Sequence, residues 1–180
     1  DQKITTFWKF NKMRKPLIDK DCVSKIEVAL KYELGHYYLY KHLAIAMQAY
    51  GYFGAQAYFE KESAEENGHA QKHIQFLNDM GVVAKLPALS PEKDVPETLY
   101  DAIEMAYENE KDLLEAYQEM YKEEVVETPV VAVHLNQFIG FQLDAVSFYA
   151  DILATMESEK DNKNVCMVID HKLKKLAKNG

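Results

Sequence analysis

The chain has 180 residues, 28% of them charged and 48% hydrophobic, with a net charge of −8. That length fits one domain with a core large enough to need no staples, and the scarcity of Gly and Pro beside abundant Ala, Leu, Glu, Lys, Gln and Met favours helices over sheet. No run of about 18 apolar residues is present to cross a bilayer, and Cys22 and Cys166 have neither metal-binding spacing nor the density of a disulfide scaffold, so reduced thiols and a cytoplasmic setting are expected.

The opening segment is basic: residues 1–20 hold six Lys or Arg against two Asp, and residues 171–180 hold four Lys and no acid. Subtracting those two +4 ends from the net −8 leaves −16 for residues 21–170. An acidic body of this kind disfavours nucleic acid and favours cations. Residues 1–20 have weak periodicity and read as a basic N-terminal arm, with residues 21–180 as the single folded domain. Asp1–Phe10 lacks the apolar stretch of a signal peptide, and because the chain opens without Met, a removed targeting segment would leave no trace.

Periodicity predicts four long helices. The first runs from about Asp21 to Tyr50, with Ile26, Leu30, Glu33, Tyr37, Tyr40, Ala44 and Met47 at steps of three and four, and it stops near Gly51–Gly54. The second runs from about Ala55 to Met80 and ends at Gly81, a residue suited to the position just past a helix end. Residues 82–96, with Pro87, Pro91 and Pro96, form a link long enough to cross a bundle. The third helix covers about Glu97 to Val126, with Ile103, Ala106, Glu110, Leu113, Tyr117 and Met120 inward, and Thr128-Pro129 breaks it. The fourth covers about Pro129 to Met156, with Val131, Leu135, Phe138, Gln142, Ala145, Tyr149 and Ile152 inward. A short fifth helix is expected over Lys163–Ala177. The fold class is therefore all-α, a four-helix bundle with a long crossover between helices 2 and 3.

Glu66 and His69 lie three residues apart on one face of the second helix, where an ordinary amphipathic stripe would carry Leu or Ile. A buried charge is costly unless it is paired, protonated or bound to a metal. Each stripe carries a metal-capable polar residue near its middle: Glu33, Glu66 with His69, Glu110, and Gln142. Three carboxylates, one imidazole and one amide make a hard, mostly oxygen site suited to Fe(II), Mn(II) or Zn(II). Tyr40, two turns after Glu33, lies on the same face. His73, one turn beyond His69, reads as a hydrogen-bonded core or edge histidine, and His36, His42, His134 and His171 are assigned no chemistry.

These segments resemble the ferritin family. Glu33-Leu34-Gly35-His36-Tyr37-Tyr38-Leu39-Tyr40 looks like the first-helix motif, Glu65-Glu66-Asn67-Gly68-His69-Ala70 is similar to the second-helix signature, and Leu77-Asn78-Asp79-Met80-Gly81 to the segment that ends it. Leu86-Pro87-Ala88 is similar to the crossover loop, Glu108-Asn109-Glu110-Lys111 looks like the third-helix motif, and Leu135–Gln142 resembles the fourth-helix stretch. Val165–Leu173 is similar to the fifth helix, and the resemblance spans about residues 17–176.

The resemblance implies a di-iron ferroxidase centre: Glu33, Glu66 and His69 around one iron, Glu66 and Glu110 around its neighbour, with Gln142 and Tyr40 close by. It further implies oxidation of Fe(II) by dioxygen or peroxide and deposition of Fe(III) inside a homo-oligomeric shell of about 24 subunits, with neither nucleic acid nor membrane as partner. Asn67 stands where haem-binding relatives carry a ligating Met, so no haem is expected. Two departures shape the rival readings. The fourth helix carries Gln142 and Ala145 in place of a second Glu-x-x-His, and Phe141 and Ala145 replace acids of an adjoining third iron site, of which Glu65 and Asp144 remain. A shell protein with weak or no ferroxidase activity is one rival. A small di-iron oxidase or peroxidase of rubrerythrin type is the other, and the missing second Glu-x-x-His counts against it.

Overall fold

The computed structural model describes residues 15–90, 94–160 and 162–178, with the side chains of residues 125 and 126 set aside. Five helices account for the fold: α1 (Lys20–Ala49), α2 (Phe53–Asp79), α3 (Leu99–Glu127), α4 (Pro129–Met156) and α5 (Lys163–Lys178). The described residues contain no strand. The all-α bundle expected from the periodicity is what forms, with element ends within about two residues of the expected ones. Residues 1–14 of the basic arm lie outside the described residues.

Local chemistry explains most of the helix ends. Asp19 caps α1 by accepting from the Cys22 N–H at 2.8 Å, which satisfies one of the amides left unpaired at a helix start. Two glycines end the first two helices. Gly51 and Gly81 adopt positive φ (82° and 79°), a backbone region that costs glycine nothing. Each is followed by an amide that reaches back five residues, Tyr52 N to Met47 O and Val82 N to Leu77 O, both at 2.9 Å, the hydrogen-bond pattern of a Schellman ending. At the start of α3, Thr98 and Asp101 form a reciprocal capping box.

The helix directions follow from their contacts. The start of α1 meets the end of α3, where Cys22 Sγ lies 3.4 Å from both Glu124 and Thr128, whereas Tyr40 further along α1 meets Glu110. Thus α1 runs antiparallel to α3. The Leu17 N–H donates to Met80 O at 2.9 Å, bringing the end of α2 beside the start of α1, so α1 and α2 are antiparallel as well. It follows that α2 and α3 are parallel and that the link between them must travel the length of the bundle. The link runs beside α1: the Lys85 N–H donates to Glu27 Oε1 at 3.2 Å, and the His42 ring nitrogen lies 2.9 Å from Asp94 O.

Two apolar clusters fill the bundle. One, near the α5 end, includes Leu43, Met47, Phe59, Ile103, Tyr149 and Leu173. The other, at the opposite end, includes Ile26, Leu77, Leu113, Val131, Leu135 and Phe138. Between them lies a level of buried polar side chains: Glu33, His36, Ser63, Glu66, Glu110 and Gln142.

The short α5 closes one end against α2. Its Asp170 accepts from the Ala55 N–H at 2.8 Å, placing a carboxylate at the electropositive start of α2. Such closeness requires glycine next door, because a Cβ on Gly54 would sit 1.9 Å from the Asp170 carbonyl oxygen. Gly54→Ala is expected to push α5 away and lower stability by about 1–3 kcal/mol, the usual cost of overpacking. Thermal unfolding measures the loss, and faster hydrogen exchange at the Ala55 amide locates it.

Candidate metal centre

Each helix of the bundle delivers its polar residue to one level. Glu33 from α1 is fully buried, Glu66 from α2 is 4% exposed, and Glu110 from α3 and Gln142 from α4 are each 1% exposed. His69 sits at the edge, its side chain 15% exposed. The sequence thus places all five expected ligand residues together, and Tyr40 beside them.

Glu66 occupies the centre. Its carboxylate belongs to two sets of ligand atoms, Glu33–Glu66–His69 and His36–Glu66–Glu110, within each of which the atoms lie no more than 4.8 Å apart. In the first set His69 Nδ1 is 3.4 Å from Glu33 Oε2 and 3.3 Å from Glu66 Oε2. In the second, His36 Nδ1 is 3.6 Å from Glu110 Oε2. These separations suit ligands around a common ion, since two tetrahedral ligands about 2.1 Å from a metal stand roughly 3.4 Å apart.

The environment is charged and dry. Burial, followed by the Glu33 carboxylate beside it, pushes the Glu66 carboxyl well above the usual range. Burial pushes Glu33 upward too, but the imidazoles of His69 and His73, 3.4 and 3.8 Å from its oxygens, outweigh it and hold Glu33 well below the usual carboxylate range. Glu110 Oε2 and Gln142 Oε1 are buried with no hydrogen-bond partner among the described residues. Buried oxygens left in this way are costly unless something electropositive meets them. The donor set therefore fits a hard or borderline divalent cation.

Two tyrosines orient the carboxylates. Tyr40 donates from its hydroxyl to Glu110 Oε1, and Tyr117 donates to Glu33 Oε1. Tyr40 matches the position expected of it, whereas Tyr117 was read only as packing. Behind Tyr117 runs a chain of buried hydrogen bonds: His73 Nε2 lies 2.7 Å from the Tyr117 hydroxyl, His73 Nδ1 lies 2.9 Å from His134 Nε2, and Gln137 donates to His134 Nδ1 at 3.2 Å. Because the Tyr117 proton points to Glu33, the hydroxyl accepts from His73 Nε2–H, and His73 Nδ1 in turn accepts from His134 Nε2–H. His73 is thus the hydrogen-bonded core histidine expected. His134, set aside in the sequence, is its support.

His36 requires a larger revision. It was assigned no chemistry, yet it is 4% exposed and stands beside Glu66 and Glu110. The signal was present, because Glu33-x-x-His36 repeats the spacing of Glu66-x-x-His69. A step of four from Glu33 reaches Tyr37 instead, but Tyr37 is only half-buried, and Tyr38 is 50% exposed.

Two openings flank this level. One of about 540 Å³ between α2 and α4 is bordered by Glu62, Glu65, His69, Phe141, Gln142 and Asp144. Phe141, which stands in the place of an expected acid, stacks on His69 with ring centroids 4.9 Å apart and is capped by Lys72 at 4.5 Å. Asp144 also reaches this mouth, but it joins neither ligand set. Burial and then Glu65 push the Glu62 carboxyl up to about 7. The second opening, about 440 Å³, lies against α1, α3 and the crossover link, with His36, Asp112 and Ser90 on its wall.

Fold and site together define a carboxylate-lined helical bundle built to accommodate metal ions. A ferritin-like domain family model matches residues 24–158, and the chain belongs to the ferritin family. It is 25% identical over 158 residues to the bacterial non-haem ferritin of Staphylococcus aureus, covering 74% of this chain and 95% of that one. Among solved structures, an open-pore ferritin from the hyperthermophilic archaeon Archaeoglobus fulgidus superposes with a TM-score of 0.81 at 21% identity, over 87% of this chain and 97% of that one. An engineered closed form of the Archaeoglobus fulgidus ferritin gives 0.82 at 20% identity, with 87% and 96% covered. Among the described residues no helix is long and apolar enough to cross a membrane.

The buried histidine chain generates a pH prediction. Burial, then His73 and Lys72, depress the His134 imidazole from 6.5 to about 3. Between those values the unfolded chain binds a proton at this residue and the folded one does not. Its stabilising contribution is therefore complete above about pH 6.5 and is lost as the pH falls towards 3. In His134→Gln the drop in melting temperature from pH 7 to pH 4 should shrink by several degrees, measured by calorimetry on both proteins across that range.

Proposed function

We propose that this chain is the subunit of an iron-storage shell, and that it binds two Fe(II) ions as substrate, oxidises them with dioxygen or peroxide, and delivers Fe(III) to the interior of a homo-oligomer of about 24 copies. Glu33, Glu66 and His69 hold one ion. Glu66 and Glu110 hold the other, with Gln142 and Tyr40 alongside. The observation that carries this reading is the dual membership of Glu66 in two sets of closely spaced ligand atoms: a carboxylate so placed can join two ions and bring both within reach of one oxidant.

The supporting residues do identifiable work. Tyr40 and Tyr117 each use one oxygen of a terminal carboxylate, leaving Glu110 Oε2 and Glu33 Oε2 turned towards the ions. Pre-orientation of this kind strengthens binding by sparing the ligands a search for their geometry. Gln142 contributes a neutral oxygen and adds no negative charge to a level that already holds three carboxylates. The opening on the α2 and α4 side, with Glu62, Glu65 and Asp144 beside Lys61 and Lys72 at its mouth, is the route we assign to oxidised iron as it leaves. A cytoplasmic setting completes the proposal, consistent with the free thiols of Cys22 and Cys166.

Stopped-flow oxidation of Fe(II) tests it. Glu66→Ala removes the shared ligand and His69→Ala a terminal one, so each should slow the fast phase by more than the roughly 10–100-fold that loss of a merely supporting partner costs. Unchanged rates in both variants would refute the site. Sedimentation should show particles near 24 subunits, and a stable species near the 20.8 kDa of one chain would refute storage.

A further inference from the structure

We propose that His36 is a ligand of the second ion, so that the imidazole which symmetric carboxylate bundles draw from a Glu-x-x-His on the last helix is supplied here from α1. The proposal rests on the two-ion reading above and assigns the residue that completes it.

Helical spacing puts His36 about 4.5 Å along the axis from Glu33 on the same face of α1. Glu33 is thereby level with His69, and His36 with Glu110. The separation of His36 Nδ1 from Glu110 Oε2, 3.6 Å, exceeds hydrogen-bond length but resembles the 3.3 and 3.4 Å that separate His69 Nδ1 from its two carboxylates. Glu110 is already turned for the purpose. Tyr40 takes its Oε1, and Oε2 is buried, faces His36 and accepts no hydrogen bond among the described residues. The ring of His36 stands edge-on to Tyr40, with centroids 6.5 Å apart and planes at 82°, which fixes its orientation against the same tyrosine.

The arrangement gives the two ions matching surroundings. Each has one terminal carboxylate, Glu33 or Glu110, one imidazole, His69 or His36, and a share of Glu66. Ala145 on α4 then ceases to be a defect, because the ligand that position lacks arrives from another helix. His36 also borders the opening against α1, α3 and the link, whereas His69 borders the opening between α2 and α4, so each ion has its own access to solvent. Both ions should accordingly bind with similar affinity.

Anaerobic titration with Co(II), an oxidation-resistant probe whose visible absorption reports its coordination, distinguishes the possibilities. The intact protein should take up two ions per subunit, and His36→Ala should keep one while weakening the other at least about tenfold. A His36→Ala protein that still binds two ions with unchanged affinity and spectrum would overturn the ligand role of His36 while leaving the two-ion site standing. Failure of the intact protein to bind any Co(II), with Glu66→Ala indistinguishable from it, would overturn the site reading and this proposal together. Should His36→Ala not fold, anomalous diffraction from Zn(II)-soaked crystals of the intact protein decides: a peak about 2.0–2.1 Å from a His36 ring nitrogen supports the assignment, and a second-ion peak without His36 in contact defeats it.

Discussion

The mutual repulsion of three carboxylates buried at one level is the constraint around which this molecule is arranged. Glu33, Glu66 and Glu110 come from three different helices and are all nearly inaccessible to water. No bundle would gain stability by bringing them together. The two apolar clusters on either side supply the cohesion that holds them there, and burying those side chains contributes of the order of 1.5–3 kcal/mol for each large one. The repulsion is moderated locally by the His69 and His73 imidazoles close to Glu33 and by the raised proton affinity of Glu66. What remains is a set of buried oxygens, unpartnered among the described residues, that the fold itself keeps in place.

Around this level the side chains divide the labour by chemistry. Carboxylates and imidazoles face one another, tyrosines hold the carboxylates from behind, and the stacked rings of His73, Tyr117 and Phe138 shield one flank. Phe141 closes over His69 on another side. Substituting an aromatic for an acid there exchanges a candidate ligand for a lid, and Glu62, Glu65 and Asp144 remain at the mouth outside either ligand set. The absence of a Glu-x-x-His on α4 and the presence of Glu33-x-x-His36 on α1 belong to the same account of how the donors are distributed.

Much of this was legible before any coordinates, and the exceptions have physical causes. The helix ends were readable because Gly51 and Gly81 carry the unusual φ that a Schellman ending needs, and the convergence of Glu33, Glu66, Glu110 and Gln142 followed from one polar interruption in each apolar stripe. The inward residue after Glu33 was not, because steps of three and four both fit a helical stripe; the pattern put Tyr37 inward, and the neighbouring helices bury His36 instead. The His73–His134 pair joins residues 61 apart in the chain, a contact no local pattern encodes. Gly54 was read as part of a turn, whereas it lies inside α2 and is needed for the space it leaves to Asp170.

The crossover link has a mechanical consequence. It ties together two antiparallel hairpins, α1 with α2 and α3 with α4, while the two sets of closely spaced ligand atoms span different elements: Glu33, Glu66 and His69 come from α1 and α2 alone, His36, Glu66 and Glu110 from both of these and α3. A cation held by the first set would stiffen one hairpin internally, whereas one held by the second would rivet that hairpin to its neighbour, so the two sets differ in what they would do to the rigidity of the subunit even where their chemistry is alike.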